Sequence, residues 1–318
     1  MAVAQDRQSQ DGFNVIVTSG HPFGSLTARR SLAQARRLGA GTVAIVPFRW
    51  QPSPSSAAIG RGSDMTNDEL RAAIREARAQ GFRVMVKPHV WVPQSWAGAV
   101  APGSDAAWRA WFENYQAALL TIARIAAEEK ADALSIGTEL KETSQRPEWI
   151  SIIGALRAVF PRQLTYVAHN VEEAEAVPFW PLLDAIGVTL YPVLGDDRDR
   201  VGRLAIMTAT ASKLDALAER AGKPIIVGEI GLRSAEHAAS KPWESAEERP
   251  AEADGRLQAE VLADWIKVLR RPSIRGVLVW RWFTDPQAGG PNDTDFTVQN
   301  KPAEGVLLCA WSVGCESP

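Results

Sequence analysis

Apolar residues along this chain come in short runs separated by longer amphipathic stretches. The runs fall at 13–19, 42–48, 83–87, 131–140, 164–168, 185–190, 223–231 and 274–282. A short apolar run bounded by turn residues reads as a strand buried on both faces. The stretches between them predict helices over 25–38, 106–130, 148–160, 203–221 and 256–270. One more helix starts at Thr66, which stands three residues before Glu69 as in a capping box. Gly39 and Gly41 mark the end of the first helix. Strands and helices that alternate eight times predict an α/β fold, a single-domain (β/α)8 TIM barrel over 13–318, with 1–12 as a disordered or processed leading segment.

A barrel of this kind carries its chemistry at the carboxyl ends of its strands. Read there, the chain presents His21, Arg49, Lys87, His89, Glu139, His169, Asn170, Tyr191, Glu229, Trp280 and Trp282. Two of these stand out. The fourth strand ends in Gly137-Thr138-Glu139 and the seventh in Gly228-Glu229. Strands four and seven lie across a barrel from one another, so their carboxylates can flank one bond. A single glutamate at such a position is more often a solvated or salt-bridged residue; a facing pair suits glycoside hydrolysis. One carboxyl must be protonated to donate to the leaving oxygen, and the other ionised to attack the anomeric carbon. Arg49 and Tyr191 are expected to hold the ionised one.

Composition sharpens this. The chain has 318 residues, enough for one barrel with insertions, and its net charge of -2 gives no reason to expect nucleic acid as a partner. No apolar run reaches the roughly 20 residues of a membrane helix. The leading residues lack an apolar signal core, which reads as cytoplasmic, or as exported with the signal removed. Oligomeric state is open. Cys309 and Cys315 form either one small disulfide or two thiols. Trp is abundant, 12 residues against 3 Tyr. Trp50, Trp91, Trp96, Trp280 and Trp282 fall just after strands, where flat rings suit the apolar faces of sugars, whereas Trp111 and Trp265 read as packing residues. Strand alternation puts Trp280 or Trp282 on the floor of a sugar site. No cofactor is expected. His89 and His169 have no His-x-x-x-His or Glu-x-x-His spacing, so no metal site is expected either.

Lys87-Pro88-His89, Gly137-Thr138-Glu139-Leu140, Gly228-Glu229-Ile230-Gly231 and Lys301-Pro302-Ala303, in this order and spacing, resemble glycoside hydrolase family 113 within the clan A retaining glycosidases. The resemblance implies a β-mannanase or related β-glycosidase acting by double displacement on an oligosaccharide or polysaccharide. Glu139 would be the acid/base and Glu229 the nucleophile. Substrate contacts would come from Arg49, Trp50, Lys87, His89, Trp91, Thr138, His169, Asn170, Tyr191, Trp280 and Trp282. Many clan members carry Asn directly before the acid/base, where it can bond the sugar 2-hydroxyl; this chain has Thr138.

Three alternatives stand beside that reading. The first is a β-glycosidase acting on glucan, xylan or glucosaminide. The second is a non-catalytic sugar-binding barrel, which would tolerate loss of either glutamate. The third is a metal-dependent hydrolase using His89 and His169, which a chelator would inactivate.

Overall fold

The computed structural model describes residues 10–62 and 65–312. Eight parallel strands close into a barrel: β1 (Gly12–Ile16), β2 (Thr42–Ile45), β5 (Arg83–Val86), β7 (Ala133–Thr138), β8 (Gln163–His169), β9 (Ala185–Leu190), β10 (Ile225–Ile230) and β11 (Ile274–Phe283), with β11 pairing back onto β1. The remaining strands, β3 (Phe48–Trp50), β4 (Gly60–Arg61) and β6 (His89–Trp91), form a separate three-stranded sheet in the order β4-β3-β6.

The expected strands all form, with shifted ends. β1 starts one residue early, and Asp11 before it accepts the N–H groups of Gly41, Thr42 and Val277. Residues 1–9 lie outside the described part of the chain. The run at 42–48 is two strands, β2 and β3, because the chain leaves the barrel at Val46-Pro47, and a proline cannot continue a ladder. Sequence reading missed β3, β4 and β6, and the helices Asn170–Ala176 and Ala303–Trp311.

Local chemistry explains the helix starts. Thr66 and Glu69 form the predicted capping box, and Ser104 caps Asp105–Glu128 through the N–H of Ala107. Buried apolar side chains of these helices pack onto the outer face of the barrel and make the main core. Inside the barrel the character changes with height. Its floor is a small apolar layer of Ala44, Met85, Ala133, Ala185, Ile226 and Leu278. Above it the inward positions turn polar: Asn14, Lys87, Thr189 and Glu229 are all buried. A barrel interior is a packed core, so polar groups there must find partners within it. Those partners define the site.

Candidate active site

Glu229 sits near the end of β10 and is 3% exposed. Gly228 before it is a packing requirement, since a Cβ there would lie 2.8 Å from a methyl of Val167. One oxygen of Glu229 takes an ion pair from Lys87, at the end of β5, whose side chain has no exposed surface. The other accepts the Tyr191 hydroxyl at 3.1 Å. Burial, and then the charge of Glu229, push the Tyr191 phenol well above its ordinary range, so it stays a neutral donor. Lys87 also lies over the Trp280 ring, 5.2 Å from its centroid. Glu229 is thus held from two sides, by a cation and by a hydroxyl donor.

Glu139 follows β7 in the left-handed conformation, φ 55°, uncommon for a residue with a side chain. The sheet still holds it, because its N–H donates to Val167 O at 2.8 Å. Its Oε1 accepts the Thr189 hydroxyl at 2.6 Å and Nδ1–H of His169 at 3.0 Å. Its Oε2 lies 4.0 Å from His89 Nε2, beyond hydrogen-bond reach. One oxygen is therefore held by two donors, while the other has only His89 nearby, at 4.0 Å. Thr189 and Tyr191, two residues apart on one chain segment, hold one carboxylate each. Tyr191 and His89 both lie within the electrostatic reach of Glu139 and Glu229 together.

The protonation of His169 decides that of Glu139. Burial pushes the Glu139 carboxyl up; an imidazolium at His169 bonded to it, with the charge of His89 and the Thr189 hydroxyl, pulls it below the usual carboxylate range, to about 2. The pair titrates as a unit. His89 is pushed down by burial and by Lys87, which favours its neutral form, and its Nδ1 lies 3.0 Å from Val90 O. The raised acid that the sequence reading requires at Glu139 is therefore compatible only with a neutral His169.

Several expected substrate contacts are corrected. Arg49 faces the opposite side of β3 from Phe48 and Trp50, is 5% exposed, and lines an outer pocket with Arg61, Asn67 and Thr121. Lys87, and not Arg49 as expected, stands beside Glu229. Lys87 and Thr138 have no exposed surface, so neither can touch a sugar directly, and the Thr138 hydroxyl donates to Pro88 O at 3.1 Å. Trp282 is sealed against Phe13, its ring N–H donating to Ser31 at 2.8 Å. The pairing of β1 with β11 explains this: Phe13 meets Val279, but Val15 meets Trp282, so β11 carries one extra residue there. That bulge breaks the alternation that would have put Trp280 and Trp282 on one face. The Trp280–Arg281 peptide at this point is cis. His169 and Asn170 are turned toward Glu139 and Tyr191. Trp50, Trp91 and Trp96 are 39%, 48% and 41% exposed.

Two buried groups escaped the sequence reading. Thr189 looked like any strand residue. Glu173 accepts the His169 backbone N–H at 2.5 Å and the Tyr166 hydroxyl at 2.6 Å, and burial pushes its carboxyl up to about 7. Its place four residues after His169, in a polar run that opens a helix, was the available signal. Cys309 is disulfide-bonded, and Cys315 falls outside the described residues.

The profile of Glycoside Hydrolase Family 113 matches residues 13–301, nearly the whole barrel. The chain belongs to that family. It is a glycoside hydrolase, and its substrate is a carbohydrate. Among curated proteins none matches the chain. Among solved structures, the GH113 β-mannanase of Alicyclobacillus acidocaldarius, in complex with ManMIm, superposes with a TM-score of 0.83 at 23% identity, covering 95% of this chain and 96% of that one. A complex of a GH113 β-1,4-mannanase gives 0.83 at 24% identity, covering 95% and 98%. The β-glucuronidase of Ruminococcus gnavus shares the fold more distantly, with a TM-score of 0.61 at 13% identity, covering 95% of this chain and 49% of that one. At these identities the superpositions establish the barrel fold. No helix among the described residues is long and apolar enough to cross a membrane.

Proposed function

We propose that this family 113 hydrolase is a retaining β-glycosidase acting on β-1,4-linked mannan or manno-oligosaccharides, with Glu139 as acid/base and Glu229 as nucleophile. The observation that carries the assignment is the unequal treatment of the two carboxylates. Glu229 has a cation on one oxygen and a phenol on the other, which fixes its plane and suits a carboxylate that attacks. Glu139 has one oxygen held and one turned to the cleft, as a group that gives and takes a proton requires. In the first step Glu229 attacks the anomeric carbon while Glu139 protonates the departing oxygen. In the second Glu139 takes a proton from water, which attacks the glycosyl ester and frees Glu229. Mannan is preferred because the superposed family structures are of proteins described as β-mannanases. Because Thr138 is sealed, contact with the 2-hydroxyl falls to another group, so glucan, xylan and glucosaminide oligomers belong in the same assay.

The test compares two variants. Glu139→Ala should keep first-step activity on an activated aryl mannoside, and azide should speed its second step and yield the β-glycosyl azide. Glu229→Ala should lose turnover on activated and natural substrates alike, and any azide product should have the opposite anomeric configuration. Exchanged behaviour would reverse the roles; full activity in both variants would sink the glycosidase mechanism.

A further inference from the structure

Beside Glu139 lies a chain of hydrogen bonds that runs from Tyr191 through Asn170 and His169. Tyr191 N–H donates to Asn170 Oδ1 at 2.8 Å, and Asn170 Nδ2 lies 3.1 Å from His169 Nε2. His169 Nδ1 lies 3.0 Å from Glu139 Oε1. A backbone N–H can only donate, so the Asn170 atom facing Tyr191 must be its oxygen. The amide nitrogen then necessarily faces His169, and it too can only donate. His169 Nε2 must accept, so it carries no proton, and the ring's single proton sits on Nδ1, facing Glu139. The geometry resolves itself from the one donor whose identity is beyond choice.

We propose that Asn170 is a positioning residue that holds His169 neutral, in the Nδ1–H tautomer, so that Glu139 can carry the acid proton. This rests on the reading of Glu139 as proton donor. A neutral His169 still orients Glu139 through Oε1 but adds no positive charge to hold it ionised, and burial of the carboxyl then favours its protonated form. Asn170 has the left-handed backbone, φ 56°, that asparagine tolerates better than most residues, and Glu173 pins the backbone N–H of His169. The groups facing the ring act in both directions. Burial and Lys141 lower its affinity for a second proton, but Glu139 when ionised, and Glu173, outweigh them and raise it overall, so the opposition has to come from Asn170. The edge of Trp96 lies 4.8 Å from it between ring centroids. Around Glu139 stand His89, Thr189 and His169. Asn170 is the group among these that opposes a second proton by geometry, whatever the state of Glu139.

The experiment is nitrogen-15 NMR of histidine-labelled full-length protein, with His169 assigned by its loss in His169→Gln. The expected spectrum at neutral pH has a protonated Nδ1 and an unprotonated Nε2. Asn170→Asp keeps an acceptor for Tyr191 N–H but sets an acceptor against Nε2. It should convert the ring to an imidazolium with both nitrogens protonated. Its kcat/KM on glycosides with poor leaving groups should fall about tenfold or more, with activated aryl glycosides much less affected. An imidazolium at His169 in the unsubstituted protein at neutral pH overturns the proposal, and so does a neutral ring in Asn170→Asp. If that variant does not fold, the spectrum of the unsubstituted protein decides alone. Absence of glycosidase activity in the unsubstituted protein would instead overturn the proposed function, while the ring spectrum would still report on Asn170.

Discussion

A lysine ammonium without exposed surface must find its partners inside the protein, and Lys87 finds Glu229. Removing one member of a buried ion pair strands the other, which costs more than the pair contributes. Lys87→Met is therefore expected to destabilise the protein by about 3–5 kcal/mol in denaturant unfolding. In a Glu229→Gln background, where Lys87 is already an unpaired sealed cation, the same substitution should be near neutral or stabilising. Equal costs in both backgrounds would mean that the pair carries no coupling. The residues of this pair were legible in the sequence, since a charged residue at the end of an apolar strand has to have a reason. Their orientations were not. Arg49 and Lys87 both follow barrel strands, and only the exit of the chain at Val46-Pro47 turns one outward while the other points in.

Elements set what each aromatic residue does. The extra residue in β11 sends Trp282 into the core and leaves Trp280 half-buried beside Lys87. Trp282→Ala should thus cost about 3–5 kcal/mol of stability. Trp280→Ala should unfold nearly like the unsubstituted protein and lose about tenfold or more in kcat/KM. Thermal unfolding and kinetics of the two variants together check this, and the opposite pattern would refute the bulge as the cause. The small β4-β3-β6 sheet makes a second aromatic feature. Register pairs Phe48 with His89 and Trp50 with Trp91, so all four rings share a face while Arg49 and Val90 share the other. Ring centroids run from His89 to Phe48 at 5.8 Å, to Trp91 at 6.0 Å and to Trp50 at 5.9 Å, leading outward from Glu139. On a mannan chain, Trp50→Ala and Trp91→Ala should lower kcat/KM on five- and six-unit oligomers more than on two-unit ones; a loss independent of length would discount the run of rings. Barrel strands were legible because runs buried on both faces are apolar throughout. Strands of two or three residues in a loop carry no such periodic signal, and neither does a bulge.

At the scale of the whole molecule, alternation of strand and helix was enough to predict a barrel, because few arrangements bury parallel strands on both faces. The gradient along its axis, from the apolar floor to the polar mouth, was visible only as polar residues gathering at strand ends. Closure of the ring depends on the most distant partners. β1 pairs with β11, and Asn14 of β1 donates to Gly228 O at 2.9 Å, across 214 residues of chain, next to Glu229. Synthesis meets these partners in the opposite order to their importance. β1 leaves the ribosome before the other barrel strands and β11 after them, so one edge of β1 stays unpaired until the last barrel strand has emerged. An open parallel edge is a template for another strand, and such pairings form slowly because their loops are long. The interval between the emergence of β1 and that of β11 is therefore when a nascent chain is most exposed to pairing with its neighbours on the same messenger. Codon changes that lengthen that interval should lower soluble yield without altering a single contact in the finished enzyme.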